Sequence, residues 1–536
     1  MKLNKASLQD VSVWKSADVT LPQFDIDTMV QATKQAPIWV HFGAGNIFRG
    51  FIARLQQQLL NKGLAQSGVI AADTFDYDII NAIYAPHDNL TLLVSLNPDG
   101  STDREVVASI ADSIRADSAD SEEMAKLTAV FENPSLQIVS FTITEKGYAL
   151  ADLQGKYFPV VEADIKNGPT GARHAMSVVT GLMLARYRSG AAPLALASMD
   201  NCSHNGEKLR SAVLDIAKAW RENGFADDGF VTYLEDDTKV TFPWSMIDKI
   251  TPRPSEIVER SLADSGIEGM APIITSKNTF IAPFVNAEVP QYLVIEDTFP
   301  NGRPPLEEAG VYFTDRETVN NTERMKVTTC LNPLHTALAV YGCLLGYTSI
   351  AAEMLDADLK ALVSHIGYDE GMPVVVDPGI LSPMDFIREV IDQRLPNPFI
   401  PDAPQRIATD TSQKIAIRFG ETIKSYIARG SLDVMELKYI PLAIAGWLRY
   451  LLAVDDKNEP MAVSSDPMLH ELQSQLAGIA VGNPKTYHGQ LKPILSNSVL
   501  FATDLCKAGL GDKIEAMFCE MIAGPGAVRA TLKKYL

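Results

Sequence analysis

The spacing of apolar residues changes along this chain, and the change divides it. Residues 38–42, Ile38-Trp39-Val40-His41-Phe42, make a short apolar run of strand character. Gly43-Ala44-Gly45 follows at once. Then Phe48, Phe51, Ile52, Leu55 and Leu59 recur at helical spacing, with Gly63 as a stop. Strand, glycine turn and amphipathic helix open a βαβ unit, in which the helix N-terminus can face a phosphate.

The same alternation continues downstream. Residues 68–72, 136–144, 194–198 and 292–297 read as strands, and 172–188 and 207–222 as helices. Residues 86–124 read as an elaborated turn-and-strand region around Asn97-Pro98-Asp99-Gly100. The stretch 241–252, punctuated by Pro243 and Pro252, reads as irregular, and residues 1–36 as a mixed, polar wrapping segment. Beyond residue 307 the pattern becomes mainly helical, over 333–347, 350–367, 382–393, 412–428, 442–453 and 467–478. The expected fold is therefore α/β: an N-terminal Rossmann-like doubly wound domain, residues 1–300, and a mainly α-helical C-terminal domain, residues 301–536.

Charge and composition narrow the partners. Net charge is −19 and no Lys/Arg block stands out, which argues against nucleic acid and anionic membranes. The five cysteines form no CxxC pair and fit free thiols in a reducing compartment. The N-terminus lacks the apolar core of a signal peptide, and the most apolar window, 439–454, is broken by Pro441, Gly446 and Arg449. A cytoplasmic location is expected. The eight histidines are scattered and no HExxH occurs, so no metal is expected.

Candidate chemistry concentrates in Glu323-Arg324-Met325-Lys326-Val327-Thr328-Thr329-Cys330-Leu331-Asn332-Pro333-Leu334-His335. A lysine, an amide and an imidazole together suit moving a proton on and off a hydroxyl oxygen. Read alone, a lysine ahead of a helix is ordinarily a solvated charge. At the N-terminal end, Phe48 occupies the third glycine position of the GxGxxG fingerprint. An acid at the end of the second strand can bond ribose hydroxyls and favour NAD over NADP. Asp73, Asp76 and Asp78 all stand close enough, and Asp73 is the choice.

Seven motifs in order carry a resemblance over nearly the full length: GAGNIFRG (43–50), TITEKGY (142–148), MDNCSHNG (199–206), FPWSMIDKITP (242–252), VIEDTFPNGRPPLE (294–307), ERMKVTTCLNPLH (323–335) and NPFIPDAPQRIATDTSQK (397–414). The chain resembles the polyol-specific long-chain dehydrogenase/reductase family, which includes mannitol 2-dehydrogenase, fructuronate reductase (mannonate oxidoreductase) and tagaturonate reductase. The resemblance implies an NAD-dependent, metal-free reaction on a sugar acid or polyol. It makes Lys326 the base and has Asn332 and His335 bind the reacting oxygen, with Asn201 completing its polarisation. Glu323 joins the proton route. Asp248, Arg406 and Lys414 contact the substrate, and Gly43, Gly45, Phe48, Arg49, Asp73 and Glu145 belong to the cofactor site. D-mannonate/D-fructuronate is the favoured pair, for which Arg406, Lys414 or Arg253 could clamp a carboxylate. Mannitol/fructose and tagaturonate are the alternatives within the family, and a non-catalytic NAD-responsive sensor lies outside it. A monomer or a homo-oligomer is expected.

One spacing departs from the family. Five residues separate Lys326 from Asn332, where the family has four. Either the helix starts at Pro333 with Asn332 as its N-cap, leaving Lys326 on a preceding turn, or a π-bulge absorbs the extra residue.

Overall fold

The structure is a computed structural model and describes residues 1–152 and 154–536. The chain divides into two units, one of Met1–Asn97 with Ser101–Asn320, the other of Pro98–Gly100 with Asn321–Leu536.

The first unit is built on a six-stranded parallel sheet. Its strands in chain order are β1 (Trp39–Phe42), β2 (Val69–Asp73), β3 (Ile110–Arg115), β4 (Ile138–Phe141), β5 (Leu194–Ser198) and β6 (Val240–Thr241). They lie in the order β3-β2-β1-β4-β5-β6, the doubly wound order of a dinucleotide-binding fold. β1, β2, β4 and β5 are buried at every position, which explains why they read as continuous apolar runs. Alternate residues feed two cores. Val40 and Phe42 pack with Met176, Val179 and Leu182 of helix α2 (Ala175–Arg188), while Trp39 packs with Phe48, Phe51 and Leu55 of the helix that follows β1. His41, the polar member of β1, is held by Ser140 Oγ at 2.6 Å and Thr142 Oγ1 at 2.8 Å and stacks on Phe48. Burial pushes its pKa down to about 3.

The stretch expected to be irregular is not. It contains β6 and then β7 (Ser245–Asp248), which pairs antiparallel with β8 (Tyr292–Glu296). β9 (Tyr312–Thr314) extends that sheet in parallel. Pro243 falls in the gap between β6 and β7 and Pro252 beyond β7, so neither removes a ladder donor. Because β9 completes the β7-β8 sheet, the first unit runs about twenty residues past the boundary expected near 300. Residues 1–36 are also more regular than their composition suggests. Helix Ile26–Gln35 forms, and strand Val19–Thr20 pairs with Thr102–Val107.

The second unit is helical, and several helices expected to be continuous are interrupted. Region 350–367 breaks where Asp356 caps a new helix, Ala357–Ser364, by accepting the N–H groups of Asp358 and Leu359. Regions 382–393 and 412–428 contain π turns, Val390–Arg394 and Ala416–Gly420. Tyr439–Tyr450 is buried almost throughout, as its apolar composition requires. Among the described residues no helix is long and apolar enough to cross a membrane.

Candidate active site

In the first unit the turn after β1 has the properties a pyrophosphate cradle needs. Gly43 has φ +107°, and a Cβ there would stand 2.2 Å from Thr142 O, so only glycine fits. A Cβ on Gly45 would meet nothing within 4 Å: the backbone faces open space at the start of a helix. After one α-helical step at Asn46 and Ile47 that helix passes through a π turn, Phe48–Ile52, and continues as α1 (Ala53–Asn61). Phe48 and Arg49 are buried. Phe48 stacks on His41, and the Arg49 guanidinium donates to Ala282 O at 2.9 Å and Asn46 Oδ1 at 2.8 Å. Both side chains are therefore used in packing the turn, and it is the backbone that faces outward.

Asp73 anchors the cradle from β2. Its Oδ2 accepts Ala44 N–H at 3.0 Å, and its Oδ1 accepts Phe75 and Asp76 N–H, each at 2.8 Å. Burial pushes its carboxyl up and the three donors pull it back. The neighbouring acids are occupied elsewhere: Asp76 Oδ2 accepts from Thr275 Oγ1, and Asp78 Oδ2 accepts Ser276 N–H.

The ends of β4 and β5 are joined by a residue the sequence reading passed over. Asp200 accepts Ile143 and Thr144 N–H and the Tyr148 hydroxyl, at 2.9, 2.8 and 2.6 Å. It holds Thr144 at φ +65°, a left-handed conformation rare for a β-branched residue. Asn201 follows it and is exposed. Asn205 is buried and ties Asp200 O to Ser245, fixing the start of helix α3 (Asn205–Glu222). Glu145 is largely exposed and paired with Lys208 at 2.6 Å. Asp248 ends β7 and is buried, whereas Arg253 is exposed.

In the helical unit, Lys326 is 2% exposed. It opens a π turn, Lys326–Cys330, that directly continues helix α4 (Arg316–Met325), with Leu331 N–H bonded to Lys326 O at 3.1 Å, five residues back. Helix α5 (Asn332–Leu345) begins next. Both sequence expectations hold in part: the helix does restart beside Pro333, and a π turn absorbs the extra residue. Leu331 rather than Asn332 is the N-cap, and no side chain caps this helix, so the Asn332 amide is not spent there. Glu323 lies in the last turn of α4, three residues before Lys326.

His335 is the electrostatic centre of this region. Its Nε2 stands 3.4 Å from Asp402 Oδ2, outside hydrogen-bond geometry. Burial brings its pKa down to about 4; Arg418, Arg406 and Arg394 push the same way and Asp402 opposes them. The imidazole is therefore neutral at ordinary pH, able to donate from one nitrogen. Arg406, on helix α6 (Pro404–Ile407), is exposed and paired with Asp402. Lys414, on α7 (Thr411–Ile415), donates to Thr409 O at 2.6 Å, and burial together with Arg418 and Arg406 lowers its pKa. Arg418 donates to Thr336 Oγ1 at 2.5 Å. Thr336 and Arg418 lie outside the seven motifs, and Asp402 lies within the last of them without a role of its own in the sequence. Among the described residues no three His, Cys, Asp or Glu side chains gather as metal ligands would.

A 3-2-1-4-5-6 parallel sheet with an open glycine turn, in one chain with a helical unit carrying lysine, asparagine and histidine, defines an oxidoreductase of the dinucleotide-dependent kind. The chain belongs to the mannitol dehydrogenase family: the Mannitol dehydrogenase Rossmann domain model matches residues 37–308 and the Mannitol dehydrogenase C-terminal domain model residues 318–517. A D-mannonate oxidoreductase of Thermotoga maritima is 52% identical, covering 100% of this chain and 99% of the relative. Among solved structures, mannitol 2-dehydrogenase of Pseudomonas fluorescens in ternary complex with NAD and D-mannitol is 26% identical, with a TM-score of 0.71 over 100% of this chain and 99% of that one. A substrate-free D-sorbitol dehydrogenase is also 26% identical, with a TM-score of 0.79 over 99% and 100%.

Proposed function

We propose that the protein interconverts D-mannonate and D-fructuronate with NAD, using Lys326 as general base. The observation that carries this reading is a buried lysine amine immediately ahead of an uncapped amide and a neutral imidazole. Full-length identity of 52% to a D-mannonate oxidoreductase supports the substrate. Bound NAD supplies the chemistry of taking up or returning a hydride at the reacting carbon.

The chain's own residues do the rest. Lys326, buried where α4 passes into the π turn, takes the proton of the substrate hydroxyl during oxidation and returns it during reduction. Asn332 and the neutral His335 donate to the same oxygen, stabilising charge as it becomes a carbonyl or an alkoxide. Asn201 adds a third donor and Glu323 passes the proton onward. Asp248, Arg406 and Lys414 hold the substrate chain. Gly43, Gly45 and the N–H groups around Phe48 and Arg49 receive the pyrophosphate, and Asp73 shapes that turn and faces the adenosine ribose. Glu145, which opens the short helix beyond β4, would contact the cofactor.

Following NADH oxidation with D-fructuronate, D-tagaturonate and D-fructose in turn tests the substrate, and the first should be preferred. Lys326→Ala should lower kcat by about 10²–10⁴-fold and leave NADH affinity unchanged. Near-normal turnover of that variant would remove lysine from the role of base.

A further inference from the structure

The cations around His335 are not equivalent. Arg406 spends its charge on Asp402. Among the described residues Lys414 has no carboxylate at ion-pair distance, yet Asp410 and Asp466 act on it from further away. Arg418 has neither. It is half-buried in the π turn Ala416–Gly420, its one hydrogen bond among the described residues goes to the neutral hydroxyl of Thr336, and no acid offsets the effect of its burial. Burial alone lowers its pKa to about 10, which leaves the guanidinium charged at every working pH.

Even a half-buried guanidinium without a counter-charge loses hydration, and that cost is recovered when an anion supplies one. The fork geometry of arginine fits a carboxylate through two parallel N–H···O bonds. Its anchor is also informative. Thr336 directly follows His335 on α5, so the bond from Arg418 fixes the fork beside the residue assigned to the reacting oxygen. A short acyclic sugar acid has its carboxylate a few carbons from its carbonyl, the separation such an arrangement suits.

We infer that Arg418 receives the carboxylate of the substrate and so makes the protein select a sugar acid over a neutral polyol. This rests on the proposed reaction. Arg406, already paired and exposed, and Arg253, exposed in the other unit, are poorer candidates for the task. Thr336 orients the fork, and the π turn sets its direction, since one residue fewer would rotate Arg418 by about 100°.

The test compares wild type, Arg418→Gln and Arg418→Lys. Arg418→Gln should raise KM for D-fructuronate about 30-fold or more, with kcat changed less than about threefold and KM for NADH unaltered. Arg418→Lys should recover part of the loss. Competitive inhibition by D-mannonate should weaken by the same factor, whereas inhibition by its neutral amide should not change. An unchanged KM, or equal weakening of the acid and the amide, overturns the assignment. If wild type does not turn over D-fructuronate, the reaction itself is wrong. Calorimetric titration with D-mannonate in the presence of NADH then decides Arg418 separately: equal binding by wild type and Arg418→Gln, or none by wild type, overturns its role.

Discussion

The two units put their functional groups in place by different means. In the first, the cradle is backbone: Gly43 and Gly45 at the end of one parallel strand, held through the Ala44 N–H that donates to Asp73 and braced by buried Phe48 and Arg49. In the helical unit the candidate groups are side chains on separate helices, and two of them, Lys326 and Arg418, sit in π turns. A backbone site depends on a few conformations and tolerates most side chains around it. A side-chain site on helices depends on phase, so each residue gained or lost upstream re-aims everything on one side of it.

Deleting Val327 attacks the difference where it is largest. The deletion turns the π turn at Lys326 into an α turn and restores the four-residue spacing typical of the family. Lys326 would swing by about 100° relative to α5. Turnover should fall by about 10³-fold, while NADH affinity, measured by fluorescence titration, stays at the wild-type value because the first unit is untouched. Retained turnover would show that the proton-transfer group is insensitive to helical phase, and the contrast between the units would disappear.

Gly43→Ala is the reciprocal change. The new methyl would meet Thr142 O at 2.2 Å in a backbone conformation alanine resists, so the turn must move. NADH affinity should weaken by about 100-fold, close to 3 kcal/mol, with a lowered melting temperature. The kcat of cofactor-saturated enzyme should change much less, since Lys326, Asn332 and His335 keep their positions. An equal loss in kcat would mean that the backbone turn also places the reacting groups.

What the sequence disclosed follows the same division. The sheet and its glycine turn were legible because parallel strands buried on both faces read as apolar runs and the turn is one short local motif. Asp200 was not, since its task is to satisfy N–H groups more than fifty residues away. Region 241–252 reads as irregular because of its prolines, although they fall between strands and beyond them. In the helical unit the segment 323–335 drew notice through its residue types and family spacing, and the π turn was one of two readings of the extra residue. Arg418 could not be found this way. Its significance lies in the carboxylate it lacks, which no local pattern records.

Two buried ionisable groups of the helical unit sharpen the comparison further, through pH. Glu353, on helix Ile350–Met354, is fully buried; among the described residues neither carboxyl oxygen has a hydrogen-bond partner, and the side chain packs so closely that a Cβ on Gly342 would stand 1.9 Å from Oε1. Burial, with Asp356 adding to it, pushes its pKa up to about 9. The unfolded chain releases this proton near pH 4.5 and the native state keeps it to about pH 9, so stability falls as pH rises across that window. His335 behaves in the opposite sense: with a native pKa of about 4 against 6.5 unfolded, its contribution is complete above pH 6.5 and is lost as pH falls towards 4. Glu353→Gln removes the first titration alone. Between pH 6 and pH 8 the stability of the variant relative to wild type should improve by about 2.7 kcal/mol, read from urea unfolding at each pH. A difference that does not vary with pH would mean that the native carboxyl is ionised and that the helical core solvates charge. The missing counter-charge at Arg418 would then have no special cost, and side-chain electrostatics would no longer separate this unit from the backbone-built one.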